Sequence, residues 1–169
     1  MNLSISRLFN FFKPQKKNFT SGEFQSSFPI EKFNHLEKLI GSSITNKNFY
    51  LEALIHRSYL EDSDQFSLSN ERLEFLGDSV LNLVIGEFLF NKFPEEEEGF
   101  LTKVRAKMVN RNALSVVAEN IKLGDFILIS SNVPKSITQN SKSILADALE
   151  AIIGAIYLDK GIETCRKFI

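Results

Sequence analysis

The sequence predicts an all-α protein with two apolar helices at its centre. Most residues in 73–90 are apolar, and at helical spacing these side chains point to all sides, which predicts a helix enclosed by its neighbours. Residues 143–159 are rich in Ala, Ile and Leu and predict a second buried helix. The β-branched run within residues 123–131 is short and has no clear partner strand, so no sheet is predicted.

Each of these two helices carries a pair of acidic residues on one face. Glu74 and Asp78 are four residues apart, and Asp147 and Glu150 are three apart. Glu71 lies about one turn before Glu74 on nearly the same stripe. Like charges repel at this spacing, and burial of an unpaired carboxylate is costly. A salt bridge is the simplest interpretation of any single acid, but the cluster favours a bound cation.

A crossing of the two helices would bring the four carboxylates together. The small residues Gly77, Ala148 and Ala151 would permit a close approach of the helices. Carboxylate oxygens are the ligands that Mg²⁺ and Mn²⁺ prefer, and both ions also bind phosphate oxygens. The pattern therefore predicts a site for Mg²⁺ or Mn²⁺.

Composition and charge exclude several classes of protein. The 169 residues, 43% hydrophobic and 24% charged, suit one globular domain. A net charge of −1 argues against a protein that holds nucleic acid mainly through bulk positive charge. Cys165 is the single cysteine and cannot form an internal disulfide, which favours a reducing compartment, and we expect a cytoplasmic protein. Neither a Gly-rich phosphate loop nor a Cys/His metal set is present, and we expect no small-molecule cofactor.

Residues 1–29 differ from the rest of the chain. They combine a short apolar piece with basic residues, followed by a polar run over 18–27. The apolar piece is too short and too interrupted for a signal peptide or a membrane span, and we expect no membrane partner. The sequence predicts a flexible extension over 1–29 and one domain over 30–169. A basic arm that touches RNA or a membrane, and an organellar transit peptide, are the alternatives.

Further helices follow from apolar periodicity and from residues that start and stop helices. Pro94 ends the first apolar helix, and Ser69 or Asn70 is expected to cap its start. The remaining helical patterns lie at 30–40, 47–56 and 100–121.

The acidic segments closely resemble the signature motifs of the ribonuclease III endonuclease domain. Residues 71–81, ERLEFLGDSVL, resemble the first motif, and residues 145–159, LADALEAIIGAIYLD, resemble the second. Residues 98–110 resemble the family's intervening helix, and residues 53–59, ALIHRSY, its early helix motif. The resemblance covers residues 33–169, with four motifs in the family's order.

The resemblance implies the helical ribonuclease III endonuclease fold and a symmetric homodimer in which each subunit cuts one strand of double-stranded RNA. It implies a divalent-metal-dependent endoribonuclease that leaves 5′-phosphate and 3′-hydroxyl ends, in rRNA and mRNA processing. It also implies that the catalytic and metal-binding residues are Glu74, Asp78, Asp147 and Glu150, with Glu71 as an acid behind them.

The resemblance gives expectations for four further positions or groups. Phe75 matches the position whose ring enters the partner subunit, with an ordinary core Phe as the alternative. Glu98 either turns into the acidic cluster or remains a charge at a helix start. His56 is expected to pack or to end a helix rather than to catalyse. A solvated face and a phosphate-contacting face are the two interpretations of the basic residues Lys103, Arg105, Lys107 and Arg111.

The chain differs from the ribonuclease III family in two respects, and two other classes of protein are alternatives. Residues 130–143 lack the Gly-rich stretch that is common in the family, which puts the loop geometry before Asp147 in question. The family's double-stranded RNA-binding domain is missing from this chain, and we expect a truncation rather than a compact form. A non-catalytic ribonuclease III-like RNA-binding or structural subunit is the alternative, against which the intact acidic quartet speaks. A di-iron carboxylate bundle would need Glu-x-x-His pairs, which the sequence lacks.

Overall fold

The computed structural model describes residues 28–63, 66–134, 137 and 141–169. Within these residues the fold is all-α, as predicted, and its β pairing is an isolated bridge between Ile55 and Leu128. Two 3₁₀ segments, Arg57–Glu61 and Leu123–Asp125, lie between helices. The α-helices whose bounds lie in the described residues are α1 Ile30–Ile40, α2 Lys47–Ala53, α3 Glu71–Lys92, α4 Glu98–Met108, α5 Arg111–Asn120, α6 Lys142–Lys160 and α7 Ile162–Phe168.

The close crossing of α3 and α6 is the main helix–helix contact of the fold. At the crossing Gly77 of α3 lies against the backbone carbonyl of Glu150, and Gly154 of α6 lies against the backbone carbonyl of Leu73. A methyl group at either glycine would overlap the opposite carbonyl oxygen. The predicted close approach is therefore confirmed, and it uses Gly154 in addition to the predicted Gly77.

The core surrounds α6, whose residues 151–156 are all buried. Fully buried side chains contributed by the helices around α6 include Leu36 of α1, Tyr50 of α2 and Leu89 of α3. The prediction that α3 is enclosed on all sides is wrong for the described chain, because Leu83 and Phe90 are 59% and 70% exposed. One face of α3 packs on α6 and another faces outward.

Asp159 ties the end of α6 to the turn before α2. Its carboxylate accepts hydrogen bonds from the backbone N–H groups of Thr45 and Asn46, both at 2.9 Å. The hydroxyl of Tyr50 donates a third hydrogen bond to the same carboxylate, at 3.3 Å. These bonds hold the start of α2 against the C-terminal end of α6.

The predicted helix over 100–121 is wrong as a single element, because the chain leaves helical geometry at Val109 and Asn110. The side chain of Asn110 accepts a hydrogen bond from the backbone N–H of Ala113 at 2.9 Å, which is an N-cap that starts α5 in a new direction. As a result α4 and α5 are separate helices.

The boundaries of two other elements also differ in detail from the sequence expectation. The predicted helix over 47–56 ends at Ala53. Asn70 is the residue that precedes α3, but its side chain makes no capping hydrogen bond to the helix. The hydroxyl of Ser69 instead donates to the carboxylate of Glu71 at 2.9 Å.

Residues 1–27 of the predicted extension lie outside the residues that the structure describes. Phe28, at its end, is buried and packs edge-on against Phe33, with ring centroids 4.9 Å apart. Among the helices that the structure describes, none has the length and apolar character needed to cross a membrane.

Replacing Gly77 with alanine is expected to lower the free energy of unfolding by about 3 kcal/mol, because the added methyl group must push α6 away. Gly99→Ala is the matched control, since a methyl group added there would meet no atom within 4 Å beyond its chain neighbours and its own helix backbone. We expect the control to change stability by less than about 1 kcal/mol. Urea denaturation measures both, and equal stability of the two variants would contradict the role of the close crossing.

Candidate functional site

The α3–α6 crossing places three acidic side chains together. One carboxylate oxygen from each of Glu74, Asp147 and Glu150 lies within 4.8 Å of the other two. All three side chains are partly buried. Because Gly77 lets the backbones touch beside Glu150, the acids of α3 and α6 converge from two helices. We call these three residues the acidic cluster.

Asp78 lies beside the acidic cluster and is exposed. Its carboxylate accepts a hydrogen bond of 2.7 Å from the amide of Asn82, one turn later in α3. That amide also donates to the backbone carbonyl of Asp78 at 2.9 Å. The structure therefore brings three of the four predicted site residues into one group and holds the fourth next to it.

The carboxylates of the acidic cluster are partly buried and repel one another, which disfavours their charged forms. Burial and then the charges of Asp78, Glu74 and Asp147 raise the pKa of Glu150 to about 7. Burial, followed by the charges of Asp147 and Glu71, also raises the pKa of Glu74. A carboxyl with a raised pKa keeps its proton to a higher pH than usual, and a nearby cation would favour its charged form, so the cluster favours a proton or a metal ion.

Neighbouring side chains orient and partly compensate the acids. Ser143, one turn before Asp147, donates a hydroxyl hydrogen bond to its carboxylate at 3.2 Å. Arg111, the first residue of α5, is exposed, and its positive charge opposes the burial-driven rise in the pKa of Glu74 and Glu150. Ser143 at the start of α6 and Arg111 at the start of α5 thus both act on the acidic cluster.

His56 and Glu98 have local hydrogen-bonding roles. Nδ1 of His56 accepts a hydrogen bond from the backbone N–H of Ser58 at 3.2 Å and caps the first 3₁₀ segment, in agreement with a helix-end role. Glu98 is exposed at the start of α4 and accepts a hydrogen bond of 2.7 Å from the hydroxyl of Thr102. Glu98 thus takes the expected helix-start position and does not join the cluster.

Glu52 of α2 is a buried acid that sequence reasoning missed. It is 7% exposed, and burial raises its pKa to about 7 while the positive charge of Arg72 acts in the opposite direction. It lines an open cavity of about 680 Å³ together with Phe49, Phe75 and Leu158. No sequence signal singled it out, because a lone Glu in a short helix is most often exposed.

Phe75 is on the surface, so the core alternative is wrong. It is 78% exposed, one residue after Glu74, and it borders the cavity that contains Glu52. Leu83 and Phe90 follow it by eight and fifteen residues and lie on the same side of α3. We call these three exposed apolar residues the α3 stripe.

The comparison with known proteins agrees with this geometry. The family model described as Ribonuclease-III-like matches residues 46–169. The chain belongs to this family. Among solved structures, the nuclease domain of ribonuclease III from Campylobacter jejuni is similar with a TM-score of 0.74 and 44% identity, over 80% of this chain and 92% of that one. The predicted endonuclease-domain fold is thereby confirmed.

Curated relatives named Ribonuclease 3 extend beyond the matched region. That of Aliarcobacter butzleri is 45% identical over 140 residues, which are 83% of this chain and 60% of the relative. That of Syntrophomonas wolfei is 51% identical over 117 residues, which are 69% of this chain and 50% of the relative. The chain thus spans between half and three-fifths of the length of these relatives.

Glu150→Gln is expected to stabilise the protein at pH 8 in the presence of a chelator. The carboxyl of Glu150 has a pKa of about 7 in the folded chain against 4.5 for the ordinary group. Between these values the folded state holds a proton that the unfolded state has lost, so stability falls as pH rises through this window. Removing the carboxyl should recover about 1–2 kcal/mol at pH 8 and almost nothing near pH 4.

Urea denaturation across this pH range measures the effect, with the exposed Glu98→Gln as the control variant. Glu52 has a raised pKa in the same window, so the Glu150→Gln chain should keep part of the decline. If the free energy of unfolding of Glu150→Gln falls with pH as steeply as that of the wild type, Glu150 is not a source of the pH-dependent destabilisation.

Proposed function

We propose that this chain is the nuclease portion of a divalent-metal-dependent endoribonuclease that cleaves double-stranded RNA. The observation that supports it most is the convergence of Glu74, Asp147 and Glu150 within 4.8 Å at the α3–α6 crossing. Membership of the ribonuclease III-like family and similarity to proteins named Ribonuclease 3 support the same reaction.

The donor set fits a hard divalent cation. The acidic cluster offers carboxylate oxygens alone, which favour Mg²⁺ or Mn²⁺ over softer metals. A divalent cation would also relieve the repulsion that keeps the pKa of Glu150 high. We propose Mg²⁺ as the ion, with Mn²⁺ as a substitute, and Asp78 as the fourth ligand beside the cluster.

In the proposed reaction a water oxygen forms a bond to phosphorus and the P–O3′ bond breaks, which leaves a 5′-phosphate and a 3′-hydroxyl. The divalent cation would supply an activated water and neutralise charge on the phosphate. The chain's residues position the ligands: the Ser143 hydroxyl orients Asp147, and the Asn82 amide orients Asp78. No His or Lys is required as a general base, in keeping with a His56 whose Nδ1 is used as a cap.

We propose that the α3 stripe is covered by a second copy of the chain in a symmetric homodimer. Phe75 borders the open cavity of about 680 Å³, so a two-fold axis nearby would place the ring of each copy against the cavity of the other. Exposed aromatic and aliphatic side chains in a row are typical of an interface. The solved Campylobacter jejuni nuclease domain has a region involved in dimer formation, which supports the proposal by analogy.

We further propose precursor rRNA and mRNA as substrates and the cytoplasm as the location. The substrates follow from the resemblance to ribonuclease III. The location follows from Cys165, which is buried with a free thiol, as expected of a protein in a reducing compartment.

Glu150→Gln and Asp78→Asn are each expected to abolish cleavage, because each removes a proposed ligand charge while preserving the size of the side chain. Purified chains are incubated with long double-stranded RNA in Mg²⁺, in Ca²⁺ and with chelator, and products are read on a denaturing gel. Of the wild type and these two variants, only the wild type should produce short fragments, and only in Mg²⁺. Glu98→Gln, which changes an exposed acid outside the cluster, is the control and should still cleave.

Urea denaturation of the same variants establishes that folding is intact. Full activity in either variant would contradict the metal assignment. A wild-type chain that fails to cleave even at low salt, where phosphate contacts are strongest, would support the non-catalytic alternative if a fused double-stranded RNA-binding domain also fails to restore cleavage.

Phe75→Ala is expected to weaken the homodimer at least 30-fold, because a buried aromatic anchor is worth about 2 kcal/mol or more at an interface. Analytical ultracentrifugation over a range of concentrations measures the dissociation constant. Val116→Ala, which truncates an exposed side chain on α5, is the control. Equal dissociation constants for the Phe75 variant and the wild type would exclude Phe75 as the anchor.

A further inference from the structure

Two basic residues at the starts of α5 and α6 have no carboxylate partner among the residues that the structure describes. Arg111 opens α5 and Lys142 opens α6, and both are exposed. Within the part of the chain that the structure describes, no carboxylate oxygen lies within 4.0 Å of either cation. Arg166, in contrast, pairs with Glu87 and Glu163. The charges of Arg111 and Lys142 are therefore available to a ligand.

Lys142 is hydrogen-bonded to the residue next to Arg111, and Arg111 acts on the acidic cluster. The ammonium group of Lys142 donates a hydrogen bond of 3.1 Å to the side-chain oxygen of Asn112, which directly follows Arg111. Lys142 precedes Asp147 by five residues in α6, and the charge of Arg111 acts on Glu74. The starts of α5 and α6 thus form one edge of the site.

A nucleic acid strand that reaches the acidic cluster meets a strongly negative surface. Cations at the edge of the cluster would offset that repulsion for the phosphates next to the cleaved one. An exposed guanidinium makes two parallel hydrogen bonds to a phosphate, and an ammonium group binds one as a point charge. The positive end of the α5 dipole, which begins at Arg111, adds to the attraction.

We propose that Arg111 and Lys142, linked through Asn112, form a phosphate-binding site that holds the RNA backbone beside the phosphodiester to be cleaved. This inference rests on the proposed function and adds residues to it. It separates Arg111, whose neighbour Asn112 accepts the hydrogen bond from Lys142, from the basic residues of α4, for which the described structure gives no such link to the start of α6. Net charge near zero is compatible with the site, because two locally unpaired cations suffice for a local contact.

The test is binding of a short double-stranded RNA to the full chain in Ca²⁺, with a gel to verify that the RNA stays intact. The dissociation constant is measured from about 50 to about 200 mM salt. Arg111→Gln should weaken binding about five- to tenfold at the lower salt and reduce the slope of log K against log salt by about 1. The double variant Arg111→Gln/Lys142→Gln should reduce the slope by about 2.

Two variants separate a phosphate contact from a loss of charge alone. Lys38→Gln removes one exposed cation from α1, which contributes nothing to the acidic cluster, and should leave the slope unchanged. Arg111→Lys keeps the charge and should keep the slope.

Equal slopes for Arg111→Gln and Lys38→Gln, in a chain whose wild type cleaves RNA, would overturn the phosphate site and leave the proposed function in place. The phosphate site is also overturned if Arg111→Gln lowers only the free energy of unfolding at pH 8, because the arginine would then merely compensate the acids. If the wild type does not cleave even with a fused double-stranded RNA-binding domain, while Arg111→Gln still reduces the slope, the nuclease proposal is overturned and Arg111 remains a phosphate contact. No detectable binding by the wild type at low salt would overturn both.

Discussion

The contact between the α3 and α6 backbones at Gly77 and Gly154 is the constraint on which the rest of the structure depends. Helix axes usually lie about 8–10 Å apart, at a distance set by the side chains between them. Here each glycine faces a backbone carbonyl of the other helix, so the two helix backbones are in direct contact at the crossing. The acids that flank this point, Glu74 and Glu150, are consequently brought from two helices into one cluster.

The acidic cluster costs stability, and the surrounding core offsets that cost. Repulsion and burial raise the pKa of Glu150 to about 7, which opposes folding at neutral pH. Residues 151–156 of α6 are all buried, and this apolar packing holds the acids in place without their own attraction. A ligand that binds only the folded cluster would add stability by mass action.

The long helix α3 serves three surfaces at once. Leu73 and Leu81 pack in the core, Glu74 belongs to the acidic cluster, and Phe75 and Leu83 are exposed on the α3 stripe. Apolar residues on all sides of a helix indicate burial on all sides. In the described single chain, however, the side of α3 that carries the α3 stripe is exposed to solvent. A second copy of the chain on this side, as proposed, would reconcile the periodicity of the sequence with the exposure.

The sequence alone determined the two apolar helices, the acids on their faces and the family, because helical periodicity and motif spacing are local properties of the chain. It also identified Gly77 as a point of close approach. Only the tertiary structure decided that Gly154 completes the crossing, that Asn110 divides α4 from α5, and that Asp78 lies beside the cluster rather than in it. These features depend on contacts between residues distant in sequence or on the direction of a side chain, which a period of 3.6 residues does not encode.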